Sequence, residues 1–314
     1  MATAIAPDTS DIQSYTWQGF RCTYEKFPSP SESPDQPALL LIHPIGVGLS
    51  RGFWTRFLRA WQQEGTPVTV YNPDLLGCGD GDIPDRLTRP EDWAAQLWQL
   101  IETEIKRPVV LVVQGALLPV GLELWAIADA KGKGNTIHSM VLSGPPAWRV
   151  MTTVPPTWQK RLLWHGFFHS FIGNLFFRYA RTEKFLRKFS AKQLFDKPED
   201  VDQEWLEMIC AGSRDMATRH AVFSFLARYW QKGYGDAMKQ CPIPILAIFG
   251  DAASSISDNG KGETPEDRVK IYAEVFPNGK SQKLPGRNVL PYESTTEFTA
   301  AVVQFLRDQD IVSG

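Results

Sequence analysis

The sequence predicts an α/β protein with a mainly parallel sheet, helices on both faces of the sheet, and one inserted helical block. Three runs of aliphatic and β-branched residues, at 38–43, 109–113 and 243–251, are typical of strands that are buried on both faces. Helical patterns alternate with these runs, and such alternation favours parallel strands joined by right-handed crossovers. The alternation breaks over residues 150–240, which lack strand signals. We therefore expect this block to form a helical cap over the carboxyl ends of the strands.

The remaining elements are predicted from the same signals in chain order. Residues 15–27 alternate between polar and apolar side chains around Gly19, which indicates a hairpin or two edge strands. Strands are expected over 67–74 and 136–146 and near 281–284, and helices over 53–63, 91–105 and 264–275. The last helix is expected to begin with Ser294 or Thr295 as its cap. The expected domains are a disordered tail at 1–14, an α/β core at 15–149 and 241–310, and the cap at 150–240.

The composition excludes several classes of function. The 314 residues are 43% hydrophobic and 22% charged, as in an ordinary globular protein, and the net charge of −2 gives no basis for nucleic-acid binding. Four widely separated cysteines, without a CxxC pair, argue against a zinc site and a disulfide scaffold. No signal peptide or long uninterrupted apolar run is visible. We expect neither a metal nor a cofactor, and a reducing compartment such as the cytoplasm.

Residues 109–124 are the stretch around which the chain is organised. The run 109–113 predicts a buried strand, a sharp turn follows at Gly115, and an apolar helix begins at about Leu117. A strand, a sharp turn and a helix frame the G-x-S-x-G motif, which exposes a serine nucleophile at the top of a sheet. In this chain Gly115 stands at the serine position, and Val113 and Leu117 replace the flanking glycines. The sequence therefore predicts the scaffold of an acyl-transfer enzyme without its nucleophile.

Four further segments accompany this elbow in the order expected of one family. They are IHPIG at 42–46, YNPDLLGCGDG at 71–81, IPILAIFGD at 243–251 and LPGRNVLPYESTTEF at 284–298. In these segments, over about residues 20–150 and 240–308, the chain resembles the α/β-hydrolase family. In that family the four segments correspond, in the same order, to the turn that supplies half of the oxyanion hole, a glycine-rich loop, the strand before the catalytic acid, and the loop of the catalytic histidine. The resemblance implies an α/β-hydrolase-type sheet.

The resemblance places the catalytic triad on residues that cannot perform its chemistry. The nucleophile falls at Gly115, the acid at Ala253 and the histidine at Arg287, which stays protonated at any working pH. The histidines are His43, His138, His165, His169 and His220, so none lies in the C-terminal loop. Removing any triad member leaves only about 10³–10⁴-fold catalysis over water. The chain thus resembles fold members with a degenerate triad, such as the N-myc downstream-regulated family and hydrolase-like proteins of cyanobacteria and plastids.

Part of the binding machinery is nevertheless predicted to remain. The backbone N–H groups of Ile45 and Ala116 would form the oxyanion hole, and Gly115 would leave room for a ligand oxygen or a water. Arg287 would add a fixed positive charge that favours a carboxylate or a phosphate. Alternatively, Arg287 points to solvent or pairs with a neighbouring carboxylate such as Glu293.

Other reactive side chains have structural explanations that compete with functional ones. His43 would lie near the pocket floor, although a histidine at a strand end more often bonds loop backbone. Cys78 has no adjacent base that would activate its thiol. The remaining candidates are typical of turns rather than of nucleophiles or metal ligands, namely Ser143, Ser254, Ser255, Asp74, Asp80 and Asp82. A cap histidine such as His220 could also reach the site.

The helical block is rich in aromatic and basic residues. Residues 158–189 contain seven lysines and arginines against one glutamate, and residues 219–230 are again aromatic and basic. Three interpretations remain open. The aromatics could line an apolar ligand pocket, form an amphipathic surface that lies on anionic lipid, or pack as a layer against the core.

Three hypotheses for function follow. The first is a non-catalytic protein that binds a small apolar or anionic ligand, or a protein partner, through the former active-site cavity. The second is an atypical hydrolase or lyase, acting on an ester or a related acyl substrate, with oxyanion-hole amides and Arg287 as stabilisers. The third is a membrane-surface protein with peripheral contact through residues 158–189. The expected location is cytoplasmic, with the plastid stroma or a membrane surface as alternatives.

Overall fold

A single eight-stranded sheet forms the core of the computed structural model, which describes residues 11–29, 33 and 35–312. The strands are β1 (Gln13–Trp17), β2 (Phe20–Phe27), β3 (Ala38–Ile42), β4 (Val70–Pro73), β5 (Val109–Gln114), β6 (Ile137–Ser143), β7 (Ile245–Gly250) and β8 (Gly279–Leu284). Their spatial order is β1-β2-β4-β3-β5-β6-β7-β8. The pairs β1–β2 and β2–β4 are antiparallel, and all the others are parallel. The predicted fold class is confirmed.

Helices connect these strands and form the inserted block. In chain order they are α1 (Thr55–Glu64), α2 (Pro90–Leu100), α3 (Leu118–Ala130), α4 (Trp148–Thr152), α5 (Thr157–Arg161), α6 (Phe171–Ala180), α7 (Glu183–Phe189), α8 (Gln203–Gly212), α9 (Arg219–Leu226), α10 (Gly235–Gln240), α11 (Pro265–Val275), α12 (Leu290–Glu293) and α13 (Thr295–Asp308). The helices α4 to α10 lie between β6 and β7. Within the described part of the chain, no helix has both the length and the apolarity needed to cross a bilayer.

The central strands are apolar throughout because helices cover both faces of the sheet. Alternate residues of β5 point to opposite sides. Val112 packs in a cluster with Phe57 of α1 and Phe298 of α13. Leu111 packs in the opposite cluster, which includes Trp93 of α2 and residues of α3 and α11. Burying each such side chain fully stabilises the fold by about 1.5–3 kcal/mol, so an uninterrupted aliphatic run is favoured in these strands.

Several predicted boundaries are corrected by the structure. β1 begins at Gln13, so the strand starts inside the predicted tail of 1–14, and residues 1–10 of that tail lie outside the described residues. β4 covers Val70–Pro73 rather than 67–74. The segment predicted as a helix over 91–105 is helical throughout, but its last five residues, Ile101–Ile105, are π-helical rather than α-helical. α13 begins at Thr295 with Ser294 at its N-cap position, as predicted, but the Ser294 hydroxyl donates a hydrogen bond to the carbonyl of Pro285 and does not cap the helix.

The inserted helices contact the core through a close backbone approach. Gly48, in the loop after β3, has a φ of +78°, and a Cβ built on it would lie 1.8 Å from the carbonyl oxygen of Ile209 in α8. Reciprocally, a Cβ on Gly212 would lie 2.3 Å from the Gly48 carbonyl oxygen. Only glycine lets the two backbones approach this closely. The inserted block is therefore seated directly on a loop at the carboxyl ends of the strands.

Candidate functional site

The turn after β5 is a sharp elbow centred on Gly115, whose backbone is left-handed. β5 ends at Gln114, Gly115 has a φ of +59°, and α3 begins three residues later at Leu118. A left-handed conformation costs a residue with a side chain about 1–2 kcal/mol, whereas glycine adopts it freely. A Cβ built on Gly115 meets no atom within 4 Å. The elbow therefore has the backbone geometry of a nucleophile turn and open space where its side chain would extend.

The amides proposed for an oxyanion hole belong to the loop after β3 and to the elbow itself. β3 and β5 are neighbours, and Ile42 is paired with Val113, so Ile45 and Ala116 follow the ends of adjacent strands. Within the described residues, neither the Ile45 nor the Ala116 N–H donates a hydrogen bond to a recorded acceptor. Both donors are thus available to a ligand, which is the property that oxyanion stabilisation requires. Their role in binding stays a prediction.

His43 is fully buried and both of its ring nitrogens have partners. Its Nε2 accepts a hydrogen bond from the Leu75 N–H at 3.0 Å, so the proton must reside on Nδ1, which donates to the Pro44 carbonyl at 2.9 Å. Burial lowers the pKa of this imidazole below 6.5 and thereby favours the neutral form. This arrangement favours the structural interpretation of His43, because neither nitrogen is free to act as a base.

Replacing His43 by glutamine should make the free energy of unfolding less dependent on pH between about pH 7.5 and 5.5. The folded-state pKa of His43 is lowered, as are those of His138 and His220, each chiefly through burial. Between the folded-state pKa and 6.5 the unfolded chain binds protons that the folded chain does not, so stability is complete above 6.5 and falls as the pH decreases. Urea midpoints at about pH 7.5 and 5.5 should differ less for His43→Gln than for the wild type. The exposed His165→Gln is the control, and an equal fall in all three proteins would contradict this assignment.

The two other triad positions lie in loops that are joined to the cap. Ala253, in the loop after β7, is buried. The backbone N–H of Arg287 donates to Glu293 Oε2 at 2.9 Å, and the guanidinium Nη1 donates to the Lys192 carbonyl at 2.8 Å. The contact with Glu293 is therefore made by the backbone of Arg287 and not by the ion pair considered from the sequence. A ligand-binding role for Arg287 remains a prediction. The atom that could serve it is Nε, a buried donor that has no hydrogen-bond partner.

Asn288 is a site residue that the sequence interpretation missed. Its side-chain amide donates to the Ser254 carbonyl at 3.1 Å and to the Gln193 carbonyl of the cap at 2.7 Å. In a triad the histidine contacts the acid, and Ser254 directly follows Ala253. The geometry therefore favours Asn288, one residue beyond Arg287, as the counterpart of the triad histidine. An amide at this place cannot act as a general base.

Buried polar atoms without partners surround the same elbow. Gln114 Nε2 donates to the Asn288 carbonyl at 2.7 Å, but Gln114 Oε1 has no hydrogen-bond partner. Ser143 is paired with Gln114 in the sheet, so the two side chains share one face, and its hydroxyl is buried and also lacks a partner. Buried polar groups are nearly always hydrogen-bonded, so such atoms indicate places for a ligand or a water. In the sequence, Gln114 could have been recognised as a site residue because it is the one polar residue at the end of an aliphatic strand.

The glycine-rich loop after β4 has a structural role. Asp74 is buried and accepts hydrogen bonds from the Thr23 hydroxyl at 2.9 Å, the Arg51 N–H at 3.0 Å and the Asp80 N–H at 3.1 Å. Its carboxylate also pairs with the Arg51 guanidinium. A Cβ on Gly79 would lie 2.1 Å from this carboxylate, which is why glycine is required there. Within the described residues, no group of His, Cys, Asp and Glu is arranged to hold a metal ion.

The remaining reactive candidates are held away from catalysis by their surroundings. The Cys78 thiol is buried, and desolvation raises its pKa, so it is not a ready nucleophile. His220 is buried, with Nδ1 lying 3.0 Å from Asp85 Oδ1, and His169 approaches the same carboxylate at 3.2 Å. Burial, followed by the charge of Arg219, lowers the pKa of His220. Nothing in these contacts brings His220 to the elbow.

The two best-formed surface depressions of the described chain lie elsewhere. One, of about 430 Å³, is lined by Arg149, Thr153, Asp258, Asn259 and Gly262. The other, of about 330 Å³, is lined by residues of α2 and of the loops beside it, including Trp98 and Lys133. Neither includes an elbow residue.

A mainly parallel sheet, a strand–elbow–helix turn after its central strand and a helical insertion define a protein of the α/β-hydrolase type. The profile of the family described as "Alpha/beta hydrolase family" matches residues 39–302, so the chain belongs to that family. No curated protein sequence matches the chain.

Solved structures show the same architecture at low sequence identity. A putative acyltransferase from Salmonella enterica superposes with a TM-score of 0.72 at 16% identity, covering 98% of both chains. A serine hydrolase involved in carbazole degradation gives 0.70 at 15% identity, covering 95% of this chain and 99% of the other. An enol-lactonase from Burkholderia xenovorans LB400 gives 0.68 at 15% identity, with 94% and 100% covered. At such identities these similarities establish the fold alone.

Proposed function

We propose that this chain is a non-catalytic member of the α/β-hydrolase family that binds a small ligand, or a segment of a protein partner, at the Gly115 elbow. The observation that carries the proposal is the elbow itself. Gly115 keeps the left-handed backbone of a nucleophile turn, with a φ of +59°, but presents no side chain, and a Cβ built there would meet no atom of a non-neighbouring residue within 4 Å. Ala253 and Asn288 at the neighbouring positions supply neither an acid nor a base.

The available hydrogen-bond donors favour a ligand with an anionic oxygen. The N–H groups of Ile45 and Ala116 have no recorded acceptor within the described residues, and Arg287 Nε is a buried donor without a partner. Oriented amides and a guanidinium stabilise a carboxylate or a phosphate more than a neutral group. The segment 190–194 is hydrogen-bonded to Arg287 and Asn288 over this region, which supports a small ligand rather than a bulky one. A small carboxylate best fits both constraints.

A panel of anions tests the binding site. Acetate, butyrate, octanoate and phenyl phosphate should be screened for stabilisation of the full chain by thermal unfolding. A ligand at a hundredfold excess over its Kd should add about 2.7 kcal/mol to stability. The Gly115→Leu variant should lose this effect, because leucine fills the space at the elbow. Gly132→Leu is a matched control, since Gly132 also has a positive φ of +68° and no atom within 4 Å. Equal stabilisation of all three proteins would contradict binding at the elbow.

Restoring a serine at the elbow should not restore catalysis. Gly115→Ser should fold, with a loss of about 1–2 kcal/mol from the left-handed backbone, because its Cβ has room. It should not hydrolyse short- or long-chain p-nitrophenyl esters above buffer, because no base is positioned to deprotonate the hydroxyl. Gly132→Ser is the control for the backbone cost.

The unpaired amides also favour one alternative, an atypical hydrolase or lyase. In that case a water held by the Ile45 and Ala116 N–H groups would react, with Arg287 as the electrostatic stabiliser. Ester turnover by the wild type that disappears in both Arg287→Ala and Gly115→Leu would support this alternative. The same result would overturn the non-catalytic proposal.

A further inference from the structure

The helix α6 exposes a row of large apolar side chains. Phe171, Ile172, Leu175 and Tyr179 are 74%, 56%, 49% and 61% exposed, and their spacing places them on one side of the helix. The opposite side is apolar too, because Phe177 is fully buried against the cap cluster of Trp164, Phe168 and Phe223. A surface helix normally has one apolar stripe, which faces the core, and a polar outer side. The outer side of α6 is therefore an unusual surface for a globular protein.

The apolar row continues onto α7. The rings of Tyr179 and Phe185 lie 5.1 Å apart in an edge-to-face arrangement, and Phe185 stacks on Phe189 at 6.0 Å. Phe189 is itself 37% exposed. We call this row the outer face of the cap; it consists of the exposed Phe171, Ile172, Leu175, Tyr179 and Phe189 and the half-buried Phe185. Phenylalanine and leucine are typical of the apolar side of helices that lie on a membrane surface, and tyrosine is enriched at the membrane–water interface.

Basic side chains accompany the outer face. Arg178, Lys184 and Lys188 belong to the same two helices, are exposed, and make no ion pair within the described part of the chain. Arg187 pairs with Glu183 at 3.2 Å, and this glutamate is the one acidic residue of 158–189. The segment thus carries a net charge of +6 in a chain whose total is −2. Four of these charges, on Arg178, Lys184, Arg187 and Lys188, are exposed on the two helices that carry the apolar row.

We propose that the outer face of the cap docks on the surface of an anionic lipid bilayer. A helix that lies in the interface buries its apolar side among acyl chains while basic residues contact anionic headgroups. Each lysine or arginine near such a surface contributes attraction that falls off within a Debye length. An apolar ligand pocket would require these aromatics to point inward, but they point away from the buried cap cluster. The charge distribution selects an anionic surface rather than a neutral one.

Co-sedimentation of the full chain with vesicles tests this proposal. The protein should sediment with phosphatidylcholine vesicles that contain about 30% phosphatidylserine at about 50 mM salt, and far less with phosphatidylcholine alone or at about 500 mM salt. Phe171→Ser/Leu175→Ser and Lys184→Glu/Lys188→Glu should each lower partitioning about tenfold or more. Both pairs are exposed, so thermal unfolding of the variants should match the wild type.

Matched controls and contrary outcomes are available within the same chain. Ile256→Ser removes an apolar side chain that is 54% exposed but lies in the loop after β7, and Lys270→Glu reverses an exposed charge on α11. Both should sediment as the wild type does. The proposal is overturned if the wild type fails to bind anionic vesicles at low salt, or if the controls lose as much binding as the outer-face variants. Lipid-free dimerisation that the same variants abolish, without vesicle binding, would assign the face to a second copy of the chain.

Discussion

Substituting Gly48 by alanine should lower the free energy of unfolding by about 3 kcal/mol or more and loosen the cap. The added Cβ would lie 1.8 Å from the carbonyl oxygen of Ile209 and 2.6 Å from its carbonyl carbon. These are backbone atoms of α8, so the overlap cannot be relieved by rotating a side chain. The φ of +78° adds the cost of a left-handed conformation. The helix α8 must therefore move away from the loop after β3.

Gly65→Ala separates the two contributions. Gly65 follows α1 and has a φ of +63°, but a Cβ there meets no atom within 4 Å. The free energy of unfolding of this variant should fall only by the cost of the left-handed backbone, about 1–2 kcal/mol. Urea unfolding gives both losses, and limited proteolysis should cut the cap of Gly48→Ala faster than that of Gly65→Ala. Equal losses and equal cleavage would show that the close approach of Gly48 and Ile209 is not needed to seat the cap.

Replacing Asp74 by alanine should cost about 3–5 kcal/mol, because it leaves a buried arginine without its main counter-charge. Arg51 is only 9% exposed and pairs with Asp74, with Asp80 at 2.6 Å and with Glu25 at 3.5 Å. The Asp74 carboxylate also accepts hydrogen bonds from the Thr23 hydroxyl and from the backbone N–H groups of Arg51 and Asp80. Removing it leaves these buried donors unpaired and undoes the glycine-rich loop.

Asp80→Ala is the matched control because it removes a carboxylate from the same arginine. The Asp80 side chain is 60% exposed, so water can replace it, and the expected loss is at most about 1 kcal/mol. Equilibrium unfolding in urea measures both variants under identical conditions. Losses of similar size would mean that the Arg51 charge is compensated by solvent and not by the buried carboxylate.

One short segment separates the two proposed binding regions. The helix α7 ends at Phe189, and the π turn Ser190–Leu194 follows at once. The carbonyls of Lys192, Gln193 and Leu194 accept hydrogen bonds from the C-terminal loop beside the elbow. A ligand that extends from Gly115 past Asn288 would have to displace this segment. The anion panel should therefore favour small ligands.

Local features of the sequence were sufficient for the sheet and the elbow. The strands β3, β5 and β7 are uninterrupted aliphatic runs, because residues buried on both faces cannot be polar without partners. Gly115 was identified from its place between a strand and a helix, where the left-handed backbone favours glycine. The predicted ends of a strand are less accurate where the run of apolar residues is weaker. An example is β8, none of whose residues is fully buried.

The contacts of the site could not be predicted in this way. Arg287 was aligned with a catalytic histidine, but its guanidinium bonds Lys192, which lies 95 residues away, and Gln114 bonds Asn288 across 174 residues. Ser294 stands at the N-cap position of α13, but its hydroxyl donates a hydrogen bond to the Pro285 carbonyl instead of capping the helix. What the adjacent side chains of Arg287 and Asn288 contact depends on how this loop packs against the cap, which the local sequence does not specify.

The sequence by itself determined the fold class, the identity of the residue at the elbow and the absence of a histidine from the C-terminal loop, because each depends on residue type and local period. Only the tertiary structure decided that His43 is neutral and fully bonded, that Asp74 holds the glycine-rich loop, and that the aromatics of α6 point outward as well as inward. Those properties depend on the neighbours that packing brings together. Burial and hydrogen bonding are set by distant segments, and no local pattern encodes them.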